Sequence, residues 1–290
     1  MRLYKVAVIL ILVSSALFLC AIELTPDDGS DMRVSERIAN KDIDYTGCST
    51  PDLVLMTEML VRSSRPKDAV TAGGKALERQ LTEDEDIAVR YWMGRAYECI
   101  PDKGPVAMQT LEESLTLHPS SPRITKTAHR LAQLNTYVGL KDTTRNPERA
   151  IQLCERIISL CEPGKVYYEV SCAHTLLGYL HSDKGDNVTA RTHFEAVYNI
   201  DLETIEPAPG MRFETQADVD AFKEQVKRDI SWARTKMPAY IVSTCAGATD
   251  ADTLAALGEL KARYASDPVM TAEADKAVAA VTARIQGTGN

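Results

Sequence analysis

The sequence predicts an all-α protein built as a row of helical hairpins, and three observations carry that expectation. Alanines recur at Ala69, Ala107, Ala150 and Ala190, at spacings of 38, 43 and 40 residues. Three residues before each stands a turn former or helix starter: Pro66, Gly104, Pro147 and Asn187. After each, small or apolar residues continue at steps of three and four: Gly73 and Ala76, Leu111 and Leu115, Cys154 and Ile157, Phe194 and Val197. Those steps put the residues on one face of a helix. Self-similarity at a period of roughly 20–50 residues is the mark of a stacked repeat, each unit being too small to bury its apolar face alone.

Residues 1–22 read as a signal peptide or membrane anchor. Arg2 and Lys5 precede an apolar run over residues 6–22, and Glu23, Asp27 and Asp28 follow it. That charge order leaves the N-terminus in the cytoplasm and carries the remainder across the membrane. Three forms stay open: a cleaved signal with small residues at Ser14-Ser15-Ala16, an uncleaved anchor at the short end of a span, and a lipoprotein box at Cys20. The bulky Leu19 counts against the last. Residues 23–51 are polar and read as a tether.

Residues 52–202 hold about four hairpins. Their first helices are expected over residues 53–61, 87–99, 123–138 and 166–181, and their second helices start after Pro66, Gly104, Pro147 and Asn187. Breaker clusters at residues 63–66, 101–105 and 182–186 separate the helices. Residues 203–290 change character. Pro207, Pro209 and Gly210 break the pattern, and Thr215 with Asp218 then opens a long helix that Pro238 stops. The stripe Val219, Phe222, Val226, Ile230 and Ala233 gives that helix a packed face. Residues 240–242 fit either an extended connector or a helix end. Helices opened by Asp250 and by Asp267-Pro268 form a last hairpin, rich in Ala255, Ala256, Ala262, Ala272, Ala277 and Ala280, and this C-terminal helical pair is expected to cap the core.

The second unit carries Met93-Gly94-x2-Tyr97, Ala107-x3-Leu111 and Pro119, and the fourth carries Leu177-Gly178 and Ala190-x3-Phe194. In these motifs the chain resembles the tetratricopeptide repeat family, whose pattern runs aromatic-x2-Leu-Gly-x2-Tyr, Ala-x3-Phe, Pro over about 34 residues. Arg90 and His174 stand where the family has its aromatic residue, and His181 replaces its Tyr. The resemblance implies a helical-hairpin solenoid in which Gly94 and Gly178 let each first helix press on its partner, with Tyr97 and Phe194 large enough to fill the remaining space. It also implies a concave groove, lined by first helices, for an extended peptide or a partner helix. With the two glycines as register marks, the groove-facing residues are Tyr91, Arg95, Glu98, Thr175, Tyr179 and Ser182.

The rest of the chain narrows the function. With 33 Lys and Arg against 41 Asp and Glu, the net charge of −8 speaks against a nucleic-acid partner, since phosphates need neutralising cations. Seven cysteines occur, none spaced Cys-x-x-Cys; six remain without Cys20. Cys161 and Cys172 flank a turn and are the candidate disulfide, against the alternative that these cysteines are small buried seam residues. His174 and His181, seven apart on one helix, do not converge on one metal ion, and no metal-binding spacing accompanies them. The run Glu83-Asp84-Glu85-Asp86 fits a helix N-terminus, where negative charge meets the helix dipole. No phosphate loop or nucleophile elbow is written here. A catalytic set, a metal and a cofactor are therefore not expected. The expectation is a non-enzymatic extracytoplasmic scaffold that binds a protein partner in an envelope-associated complex, touching the membrane only through its N-terminal segment. The alternative is a helical protein that holds a small hydrophobic ligand.

Overall fold

The computed structural model describes residues 30–40, 42–136, 145–162, 165–209, 211, 213 and 215–287. The expected signal or anchor segment lies outside them. Among the described residues the chain is all-helical with no β-strand, and no helix is long and apolar enough to cross a membrane. It divides into two compact units. One holds the described residues up to Glu169 with Glu206–Glu224; the other holds Val170–Ile205 with the described residues from Gln225 onward.

In the first unit the expected helices form close to their expected bounds. They are α2 (Thr50–Arg62), α3 (Pro66–Leu77), α4 (Glu83–Glu98), α5 (Gly104–Leu117), α6 (Thr125–Leu134) and α7 (Pro147–Ser159). Local chemistry sets their starts. Ser49 with Asp52 and Thr82 with Glu85 form reciprocal capping boxes at α2 and α4, satisfying backbone N–H groups that the first turn leaves open. Pro66, Pro105 and Pro147 sit in first turns, where their missing N–H costs nothing. The turns before α3 and α5 close through left-handed residues, Ser64 at φ 58° and Asp102 at φ 61°.

Consecutive helices then pack as hairpins, α2 on α3, α4 on α5 and α6 on α7, and each hairpin meets the next through α3 with α4 and α5 with α6. The four recurring alanines are all fully buried, which lets the helix backbones approach closely. At Gly94 an added Cβ would stand 2.7 Å from Leu111 Cδ2 and 2.8 Å from its Cγ, closer than side chains pack.

The tether corrects the sequence reading. Residues 30–39 form α1 (Ser30–Ala39), which packs on α2, and Val34 and Cys48 are buried in the same core as Leu53, Met56 and Leu60. Arg79 Nη1 donates to the Cys48 carbonyl at 2.7 Å, and Arg37 Nη1 donates to the Asp44 and Thr46 carbonyls, both at 3.2 Å. In the sequence its four apolar residues divide by spacing between two sides of a helix, Val34 with Ile38 and Met32 with Ala39, so no single apolar face stands out.

The second unit holds most of α8 (Tyr168–Asp183), all of α9 (Asn187–Tyr198), and the C-terminal half of α10 (Gln216–Arg234), then α11 (Met237–Ser243), α12 (Asp250–Arg263) and α13 (Pro268–Gly287). Gly185 at φ 80° turns α8 into α9, and Asp186 caps α9. At Gly178 a Cβ would lie 2.6 Å from Phe194 Cδ1 and 2.8 Å from its Cζ, so this seam has the design of the Gly94 seam. Residues 240–242 are helical, because Pro238 sits in the first turn of α11 and so starts one helix as it ends another. Thr249, with Asp252, caps α12; Asp250 is the first helical residue. The last hairpin packs through Leu257, Leu260, Met270 and Ala274, whereas Ala255, Ala262, Ala272 and Ala280 face outward.

Candidate partner-binding site

The expected groove residues divide between the units: Tyr91, Arg95 and Glu98 in the first, Thr175, Tyr179 and Ser182 in the second. Each set is less open than the groove reading requires.

On α4, Tyr91 is only 5% exposed. Its ring meets Trp92 edge-on at 5.1 Å, and Lys126 of α6 places its ammonium 4.7 Å from the Tyr91 centroid and 5.1 Å from that of Trp92. Arg62 of α2 lies over the same Trp92 ring at 5.1 Å. Trp92 is thus the point where α2, α4 and α6 converge, with a cation on it from each neighbour. Two turns on, Glu98 has a buried carboxylate. Arg130 Nε donates to both its oxygens, at 2.9 and 3.1 Å, and Arg95 Nε stands 3.4 Å from Oε2. Arg95 Nη1 also donates to the Tyr91 hydroxyl at 3.4 Å. The result is a strip of half-buried cations, Arg62, Arg95, Lys126 and Arg130, held by two carboxylates, Glu58 and Glu98.

His129 continues the strip on α6. Its ring meets Tyr168 edge-on at 6.4 Å, and its Nε2 stands 3.2 Å from the Gln133 amide nitrogen. Burial, and then the neighbouring Arg130 charge, push His129 down to about 4, so it is neutral at pH 7. Lys126, His129 and Arg130 escape the sequence because the third hairpin has no glycine to set its register, and Arg62 because the first hairpin's first helix carries no register glycine either.

In the second unit the groove reading needs more correction. Thr175 is buried, its hydroxyl donating to the Ser171 carbonyl at 2.9 Å. Tyr179 faces inward, edge-on to Phe194 at 5.4 Å and to Tyr240 at 5.1 Å, so it is a wall of the α9–α11 core. Ser182 is half-buried near the end of α8. One helix step past the register glycine, Tyr179 turns with the seam.

The thiols are structural. Cys161 and Cys172 are not bridged, and none of the six described cysteines forms a disulfide. Burial pushes Cys154 and Cys161 up to about 12, which keeps both as unreactive thiols at neutral pH. Cys48, Cys154, Cys172 and Cys245 are buried, as small seam residues are. Among the described residues no group of three or more His, Cys, Asp or Glu is placed to hold a metal ion. The acidic run at residues 83–86 does structural work at the start of α4: Asp86 accepts from Arg90 Nε at 2.9 Å and contacts His118 Nε2 at 2.7 Å, while Glu83 accepts from Ser121 at 2.6 Å.

Comparison with protein-family models, with curated proteins and with solved structures found no match.

Proposed function

We propose that this protein is a non-enzymatic scaffold of tetratricopeptide-like helical hairpins that binds an acidic segment of a protein partner. The observation that carries the reading is the Trp92 strip. First helices of three successive hairpins each contribute cations to one strip around the Trp92 ring, in a chain whose net charge is −8. Cations held in place by aromatic faces and carboxylates lose little side-chain freedom on binding, which favours affinity. The glycine seams at Gly94 and Gly178 and the buried alanine register support the repeat reading. The last hairpin, closed inward by leucines with alanines outward, acts as the cap. The N-terminal charge order supports export, with the scaffold working outside the cytoplasm in an envelope-associated complex.

The test is capture of partners from a detergent extract of the native host, followed by titration of the purified partner. Lys126→Glu should weaken binding at least about tenfold, because it reverses a charge that the partner meets directly. Binding by the variant equal to that of the parent chain, with the fold intact by circular dichroism, would overturn the reading.

A further inference from the structure

The sequence places His174 and His181 two turns apart on α8, and the fold inserts a third imidazole between them. His193 of α9 brings its Nδ1 within 3.0 Å of His174 Nδ1. On its other side, the His181 ring lies 5.7 Å away, tilted by 30°. His181 Nδ1 in turn stands 3.3 Å from Asp186 Oδ2, and Asp186 accepts from the Thr189 N–H at 3.2 Å, which caps α9. The three rings therefore stand in file along the α8–α9 seam and do not converge on one point.

Two imidazole nitrogens at hydrogen-bond distance share one proton: one ring donates and the other accepts. A proton taken up by one ring leaves that bond in place; once both rings are charged, N–H meets N–H and two positive charges stand side by side. Few groups offset that charge. Asp186 is the carboxylate that faces the row, from the turn. From α11 the ring facing α9 is Tyr240, stacked on Phe194, and that helix carries no charged side chain. From α12, Arg263 is committed to Glu195 at 2.9 Å, and Arg191 of α9 donates to Thr244 at 3.0 Å. The seam also matters to its unit. Helix α9 delivers Ala190, Phe194 and Val197 to the core formed with Met237, Ile241, Leu257 and Met270.

We propose that His174, His193 and His181 form a proton-operated latch on the α8–α9 hairpin, closed while the His174–His193 pair shares its bridging proton and released in mild acid when both rings become charged. Burial, with His174 and His181 beside it, pushes His193 down from 6.5 to about 4, and burial lowers His174 as well. Both are bases with depressed values in the fold, so the open form binds more protons between pH 6.5 and 4. Stability is full above that window and falls as pH drops through it. For His193 alone the shift amounts to about 30-fold in the opening equilibrium at pH 5; its partial exposure reduces this to about tenfold.

The experiment uses the full chain. Histidine-ring NMR signals are followed from pH 8 to 4.5, and amide hydrogen exchange, corrected for intrinsic rates, is measured at pH 7 and pH 5. His193 should stay neutral at pH 5, and opening at α9 amides should rise about tenfold. In His193→Gln that rise should shrink at α9 to what His174 alone contributes, while α6 amides, governed by His129 in the other unit, keep theirs. A His193 ring that titrates like an ordinary histidine in the folded chain would overturn the latch. So would an unchanged rise at α9 in the variant. If the variant does not fold, the titration of the parent chain decides alone.

Discussion

Gly185 shows how a single backbone angle closes a hairpin. At φ 80° it occupies the left-handed region, and nothing lies within 4 Å of where a Cβ would stand. Substitution there reads backbone strain alone, without a steric contribution. Gly185→Ala should cost about 1 kcal/mol, because an L side chain in that region meets the following carbonyl. Gly74→Ala is the matched control, since Gly74 is also open around its Cβ but lies inside α3 at an ordinary helical angle. It should gain somewhat less than ~1 kcal/mol from helix propensity. Urea melts of the two variants check the opposite signs; a loss in both would place the Gly185 effect outside the backbone. Ser64 and Asp102 hold the same conformation in two other hairpin turns, and Asp tolerates it through short local hydrogen bonds.

At the scale of elements, α4 is joined to α6 by one carboxylate. Glu98 is 6% exposed at its side chain, and its partner Arg130 is 13% exposed. Removing one member of such a pair leaves the other charge buried, so Glu98→Gln should cost about 3 kcal/mol. Glu58→Gln, at an i,i+4 pair with Arg62 on the more exposed α2, should cost under about 1 kcal/mol. A double-mutant cycle with Arg130→Met checks the difference, because the second substitution should recover much of the first loss. The sequence reveals the hairpin helices and hides this pairing, for a physical reason. Alanine registers, prolines and capping residues act within a turn or two of themselves, so residues 50–77, 83–117 and 187–198 are readable directly. Burial of Tyr91 and Thr175 depends on what another helix lays over them, and no local pattern carries that. Helix α1 escapes notice because its four apolar residues divide by spacing between two sides of the helix, and α11 because Pro238 reads as a stop before it reads as a start. The histidine row hides because His193 is nineteen residues from His174 in sequence.

For the whole molecule, the recurring feature is one seam used in both compact units. In the first, Gly94 of α4 faces Leu111 of α5; in the second, Gly178 of α8 faces Phe194 of α9. Each first helix gives up a side chain where its partner brings a large one, and an alanine three or four residues earlier, Ala107 or Ala190, is fully buried on the same partner. The same seam thus occurs once in each unit. Thermal melts of Gly94→Leu and Gly178→Leu test it most directly. Leucine is the better helix former by somewhat less than ~1 kcal/mol, so on an open face each change would raise the midpoint. In a filled seam it overpacks, at a cost of about 1–3 kcal/mol. Both variants should melt below the parent chain; a raised midpoint in either would contradict the seam in that unit.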